Sequence, residues 1–192
     1  MKRWDIINKL IKDNDYQSYL EIGYGNGETY NQINIKNKMG VDINPRSGAK
    51  YIMSSENFFL FAKNNKLKYD IIFIDGNHKY EFVKKDVISS LEALNDGGTI
   101  VMHDCNPTKQ EMQGDIPIIP KWTGSVWKVF VEFKTTRNDL KMYVVDTDYG
   151  CGIITKGSQI LIKYEGSLDY TYLVKERKYL LNLISIDDFN KI

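Results

Sequence analysis

Both histidines of the chain stand beside an aspartate: His78 in Asp75-Gly76-Asn77-His78 and His103 in His103-Asp104-Cys105-Asn106. Each group directly follows a short apolar run, Ile71-Ile72-Phe73-Ile74 in one case and Thr99-Ile100-Val101-Met102 in the other. If those runs are neighbouring parallel strands, their carboxyl ends bring the two groups to one rim, where ligands of open α/β sheets bind. An imidazole at such a rim can take a proton from a hydroxyl. Two carboxylates can either orient the imidazoles or supply hard oxygen ligands to a divalent cation such as Mg²⁺. His78, His103 and Asp104 are therefore the candidate catalytic residues, and Asp75 and Asp104 the candidate metal ligands. The plainer account of the same residues has each aspartate only orienting a histidine, with no metal.

A second constellation lies upstream. Tyr19-Leu20-Glu21-Ile22 reads as a strand and runs into Gly23-Tyr24-Gly25-Asn26-Gly27, then Glu28-Thr29-Tyr30. Glycines there let the backbone turn sharply and approach a ligand closely, while the next helix start offers free N–H groups. Asp42 closes the following strand, at the spacing where a carboxylate meets the two hydroxyls of a ribose. Ser54 and Ser55 follow the third strand and either flank the base or cap a helix. Glu21, Gly23, Gly25, Asp42 and Ser54, with Asp75 from the neighbouring strand end, form the candidate nucleoside site. A dinucleotide fingerprint would place its third glycine at position 28, where Glu28 stands.

The elements that must position these residues alternate as a parallel sheet with crossover helices requires. Strands are expected at Tyr19 to Ile22, Met39 to Asp42, Tyr51 to Met53, Ile71 to Ile74 and Thr99 to Met102. Sheet-covering helices are expected from Glu56 to Asn64 and from Glu81 to Leu94, where Val83, Val87, Leu91 and Leu94 recur helically. Residues 105 to 125 hold three prolines and two glycines and form a long loop of the kind that carries function. A helix around Trp127 to Phe133 follows, then a strand Leu140 to Val145, a turn over Asp146 to Gly150 and a strand near Ile153. Asp146 and Asp148 lack the register of a calcium loop and read as part of that turn. Trp122 is either an acceptor wall or core. From Asp169 to Leu183 an apolar stripe in helical register packs on the domain or on a second copy of the chain.

Composition narrows the partners. Lys plus Arg number 26 against 25 for Asp plus Glu, so no one-signed field draws nucleic acid or an acidic membrane. No stretch approaches the ~20 apolar residues that cross a bilayer. Cys105 and Cys151 lack the spacing of a zinc site or a disulfide framework, which makes a reducing cytoplasm the expected setting.

The run Tyr69-Asp70-Ile71-Ile72-Phe73-Ile74-Asp75-Gly76-Asn77-His78-Lys79-Tyr80, with Gly97-Gly98 and His103-Asp104, resembles the methyltransferase domain 24 family through residue 155. The Glu-x-Gly-x-Gly-x-Gly spacing from Glu21 suits the same class. The resemblance implies a class I methyltransferase using S-adenosylmethionine, and several similar members are metal-dependent sugar O-methyltransferases. By that likeness Asp75 and Asp104 match metal positions, His78 the general base, and Gly23, Gly25 and Asp42 the cofactor site. Metal-dependent relatives often carry a second acid before the last aspartate, where this chain has His103.

The expected molecule is thus an α/β, doubly wound, Rossmann-like domain spanning 1–192. Its seven-stranded, mostly parallel sheet ends in an antiparallel hairpin strand, with an N-terminal helix in 1–15 and a C-terminal helical extension in 166–192. The expected partner is a small acceptor, a sugar or nucleotide-sugar, with no nucleic acid and no membrane, and the C-terminal helix is the candidate surface for self-association. Two rivals stay open: a nucleoside-binding protein without catalysis, and an NAD(P)-dependent oxidoreductase sharing the fold.

Overall fold

The computed structural model describes residues 1–192, and its organising element is one sheet with helices on both faces. The strands are β1 (Ser18–Ile22), β2 (Asn37–Asp42), β3 (Tyr51–Ile52), β4 (Tyr69–Ile74), β5 (Leu94–Met102), β6 (Leu140–Val145), β7 (Cys151–Lys156) and β8 (Leu183–Ile184). They lie in the order β3-β2-β1-β4-β5-β7-β6-β8. All pairings are parallel except those of β7 with β5 and with β6.

Side chains alternate across the sheet, as the two-residue period of a strand demands. Leu20, Ile22, Ile72, Ile74, Ile100 and Met102 face one core with α3 (Ser55–Asn64), α4 (Tyr80–Ala93) and α5 (Val126–Thr136). Tyr19, Ile71, Phe73 and Val101 face the other, against Ile6, Ile7 and Ile11 of α1 (Arg3–Asp13). Both faces being covered explains why β4 and β5 read as nearly continuous apolar runs.

Two expectations need correction. The sheet has eight strands rather than seven, and Leu183 belongs to a strand rather than to the C-terminal helix. That helix, α6 (Tyr170–Leu181), ends where Asn182 takes a left-handed conformation at φ 45°, a stop that Asn tolerates. The two residues beyond it then pair in parallel with Val144 and Val145. Leu173, Leu180 and Leu181 of α6 are buried in the chain's own core, so the apolar stripe faces the domain. α4 also runs into β5 with no intervening loop, and β5 starts five residues earlier than the sequence pattern indicates. After the glycine turn comes the short helix α2 (Glu28–Gln32). No helix is long and apolar enough to cross a membrane.

Candidate active site

Parallel pairing of β4 with β1 and β5 brings three strand ends together, and backbone bonds continue the register past them. Asp75 N–H donates to Ile22 O at 2.9 Å and His103 N–H to Ile74 O at 3.0 Å. The two histidine groups therefore converge as the sequence implies. His78 Nε2 lies 3.4 Å from Asp75 Oδ1 and its Nδ1 lies 3.4 Å from Asp104 Oδ2. His103 Nδ1 lies 3.3 Å from the same Asp75 oxygen and 3.4 Å from the same Asp104 oxygen.

The two imidazoles differ in what else they touch. His78 Nδ1 is 2.9 Å from the carbonyl of Trp122, and a carbonyl only accepts, so Nδ1 carries the hydrogen and Nε2 the basic lone pair. The Trp122 ring stacks on His78 with centroids 5.2 Å apart. Burial lowers the His78 pKa, but the Asp75 bond and the Asp104 and Asp75 charges more than offset it and leave the value raised. His103 is 7% exposed, and its Nε2 points to Asp148 Oδ2 at 3.5 Å. Burial again opposes its charge, yet Asp75, Asp104 and Asp148 push its pKa well above the usual value. Burial works against the Asp75 carboxylate too, and the charge of His103, with that of His78, holds it below the usual carboxylate range.

Asp148 and Arg3 were not legible as site residues. Asp148 sits in the β6–β7 turn at φ 48°, followed by Tyr149 at φ 63°. That pair of left-handed residues turns the Asp148 carboxylate inward, where its side chain is 4% exposed. Arg3, at the start of α1, donates to Asp148 Oδ2 from Nη1 at 3.0 Å and from its backbone N–H at 3.1 Å. Its Nε donates to Thr29 Oγ1 at 2.7 Å, and the same nitrogen stands 3.9 Å from Asp75 Oδ2. The only sequence signal was the turn composition Asp146 to Gly150, which specifies a bend and not what the bend delivers.

Beside this cluster a cavity of about 410 Å³ runs along the carboxyl ends of β4, β1 and β2 to the start of α3. Gly23, Gly25, Asp42, Ser54 and Asp75 all line it. Asp42 accepts from Gly25 N–H on one oxygen and from Asn44 N–H on the other, each at 2.7 Å, which fixes the carboxylate at the strand end. Ser54 serves both uses foreseen for it, since it lines the cavity and its Oγ caps α3 by accepting from Asn57 N–H at 3.2 Å. Glu21 does not line the cavity. It is 1% exposed on the α1 side of β1, takes a hydrogen bond from the Tyr19 hydroxyl, and is pushed up to about 8 by burial.

Gly23 and Gly25 have different reasons to be glycine. A Cβ on Gly23, at φ +89°, would lie 2.2 Å from the Asp75 carbonyl oxygen, whereas one on Gly25, at φ +58°, would meet nothing within 4 Å. Gly23→Ala is expected to destabilise the fold by about 3 kcal/mol, backbone strain plus a clash that only backbone movement relieves. Gly25→Ala, which meets strain alone, costs roughly 1 kcal/mol. Urea denaturation of the two variants separates them, and equal losses would contradict the close approach of β1 and β4.

The donor set fits a divalent ion. Asp75, His78 and Asp104 each offer a ligand atom within 4.8 Å of the others, and His103 Nδ1 stands at 3.3 and 3.4 Å from the same two carboxylates and could replace His78 in that set. Both buried ring nitrogens of His103 lack a hydrogen bond of acceptable geometry, although carboxylate oxygens stand at 3.3 to 3.5 Å. Ligands about 2.1 Å from a common ion stand roughly 3.0 to 3.4 Å from one another, a spacing that hydrogen bonds do not prefer.

This strand order, with a cavity at the strand ends and one antiparallel strand near the edge, defines the class I methyltransferase fold. Residues 42–105, the third of the chain that carries Asp42, Asp75, His78, His103 and Asp104, match the family model described as a methyltransferase domain, and the likeness to methyltransferase domain 24 holds. Solved structures agree in fold. The O-methyltransferase of Bacillus cereus in complex with SAH superposes with a TM-score of 0.59 at 13% identity, covering 79% of each chain. The O-methyltransferase TomG of Streptomyces achromogenes, involved in tomaymycin synthesis and bound to SAM, gives 0.60 at 13% identity over 82% of this chain and 80% of that one. A candidate caffeoyl-CoA O-methyltransferase of Staphylococcus aureus gives 0.58 at 21% identity over 80% of this chain and 82% of that one. No curated protein matches the sequence significantly. The chain thus has the fold of the SAM-dependent O-methyltransferases.

Proposed function

We propose that this chain transfers the methyl group of S-adenosylmethionine to a hydroxyl of a small acceptor, a sugar or nucleotide-sugar, in the cytoplasm. The observation that carries the proposal is the adjacency of a cavity of about 410 Å³, lined by Asp42 and Asp75, to the His78 imidazole, which Trp122 O holds by Nδ1 and which leaves Nε2 beside Asp75. Methyl transfer is an in-line displacement at carbon, so the acceptor oxygen, the methyl carbon and the sulfur must be collinear and the acceptor must lose its proton. Asp42 accepts hydrogen bonds from the ribose, and the backbone around Gly23 and Gly25 admits the nucleoside closely. His78 takes the acceptor proton on Nε2. Trp122 O keeps its ring in the right tautomer, and Asp75 stabilises the imidazolium that forms. His103, more deeply buried and clasped by three carboxylates, takes no proton from the acceptor.

Asp75 and Asp104, with His103 Nδ1 as an imidazole donor, would hold the divalent ion, leaving His78 to act as base. When bound, such an ion supplies positive charge that eases ionisation of a nearby hydroxyl. An imidazole in the set favours Mn²⁺ or a later metal over the Mg²⁺ expected from carboxylates alone.

Titration calorimetry with S-adenosylhomocysteine tests the cofactor assignment. Binding in the micromolar range is expected, with loss of at least roughly tenfold in affinity for Asp42→Ala as two ribose bonds disappear. Heat on adding NADH, with none from S-adenosylhomocysteine, would replace the proposal by the oxidoreductase reading.

A further inference from the structure

The β6–β7 turn is locked onto the end of β5. Cys105 N–H donates to Gly150 O at 3.0 Å and Asn106 N–H to Tyr149 O at 2.7 Å, so the turn is tied to the two residues that directly follow Asp104. A Cβ on Gly150, at φ +90°, would lie 2.5 Å from the Asn106 backbone nitrogen, which leaves the two segments no room to slide. Asp104 itself is left-handed at φ 61°, as are Asp148 and Tyr149 across from it. Residues of that kind outside glycine persist where the surrounding structure requires them, and they gather at functional sites.

The Asp148 carboxylate is held from two sides. Arg3 donates to Oδ2 from Nη1 at 3.0 Å and from its backbone N–H at 3.1 Å, and Lys2 Nζ stands 3.4 Å from Oδ1. His103 Nε2 faces the same Oδ2 from the other side at 3.5 Å. Removing a carboxylate from water until its side chain is 4% exposed is costly, and a clasp between α1 and the turn does not require an imidazole within it. The opposite edge of the ring turns Nδ1 to Asp75 at 3.3 Å and to Asp104 at 3.4 Å. A neutral imidazole has one lone pair and one N–H, so when one nitrogen faces an ion the other carries the hydrogen and needs an acceptor. Asp148 Oδ2 is aligned to be that acceptor, and a carboxylate in this place also raises the basicity of the ligating nitrogen.

We infer that Asp148, anchored by Arg3, is a positioning residue that fixes His103 as the Nε2–H tautomer and presents Nδ1 to an ion held with Asp75 and Asp104, an inference that rests on the proposed divalent site. Calorimetry with Mn²⁺ alone tests it on the wild type, Asp148→Asn and Arg3→Gln. Affinity for Mn²⁺ is expected to fall by about 10- to 100-fold in Asp148→Asn, the usual effect of losing an outer partner of a metal-bound histidine. Arg3→Gln, which keeps the backbone N–H donor, is expected to lose less. Affinity for S-adenosylhomocysteine should stay within about threefold in both, because neither residue lines the cofactor cavity. A clasp that only fastens α1 to the turn predicts instead lowered melting temperatures with Mn²⁺ affinity intact, and that result overturns the assignment. Nitrogen-15 spectra of the wild-type imidazoles at saturating Zn²⁺ need no variant to fold. They are expected to show His103 bound through Nδ1 with its hydrogen on Nε2, and a metal-bound Nε2 or a doubly protonated ring would equally overturn it. Absence of Mn²⁺ heat from the wild type removes the ion and this role of Asp148 together, whereas the methyltransferase reading is decided by S-adenosylhomocysteine, so the two failures are told apart.

Discussion

Replacing His78 by alanine is expected to lower turnover by a factor of roughly 10²–10⁴, the usual contribution of a positioned general base, while leaving S-adenosylhomocysteine affinity within about threefold of wild type. The separation follows from position. His78 does not line the cofactor cavity, whereas Asp75 lines it and also faces the imidazoles. His78→Gln keeps a group that can bond the Trp122 carbonyl but cannot take a proton at pH 7, so it is expected to fail as badly as alanine. Turnover near the wild-type rate in both variants would remove His78 from the reaction and return attention to His103.

The second large effect concerns the ion. Turnover is expected to fall by about 10²-fold or more on treatment with a chelator, the scale on which charge stabilisation of a developing oxyanion acts, and to return further with Mn²⁺ than with Mg²⁺. Thermal unfolding supplies a readout free of turnover, and its pH dependence has a definite sign. His78 and His103 have raised values in the folded state, so their contribution is complete below the ordinary imidazole value and is lost as pH rises through the raised ones. Asp75 and Asp148 have depressed values, so theirs is present above the ordinary carboxylate value and is lost as pH falls. The metal-free protein is thus most stable between those limits. An ion must displace protons from imidazole, so the rise in melting temperature caused by Mn²⁺ should be larger at pH 8 than at pH 6. Absence of a rise at either pH, together with turnover that survives the chelator, would leave Asp75 and Asp104 only as orienting groups.

What could be read ahead of the structure was whatever depends on period and punctuation. Ile71 to Ile74 and Thr99 to Met102 announce central strands because both faces of β4 and β5 are covered, and the residue types just past them announce a rim. Gly23 and Asp42 follow from the same logic, since a turn at a strand end constrains its own residues. Local pattern fails where a residue's role comes from a distant segment. Asp148 looks like an ordinary turn residue until the β6–β7 hairpin is folded beside β5, and Arg3 has no mark distinguishing it from the surface cations around it. Glu21 shows the converse: its place in the glycine spacing allows either a cofactor contact or a structural carboxylate, and alternation along β1 puts Tyr19 and Glu21 together on the face turned to α1.

The segment between Asn106 and Val126 approaches His78 through three residues. Trp122 supplies the carbonyl and the stacked ring, Ser125 N–H donates to His78 O at 2.8 Å, and a Cβ on Gly124 would fall 2.2 Å from that same oxygen. If His78 is the base, as proposed, this stretch of chain is also its cradle. Grafting a relative's version of it to change substrate preference would drag the reactivity of His78 along, so in this scaffold the two traits are inherited as one.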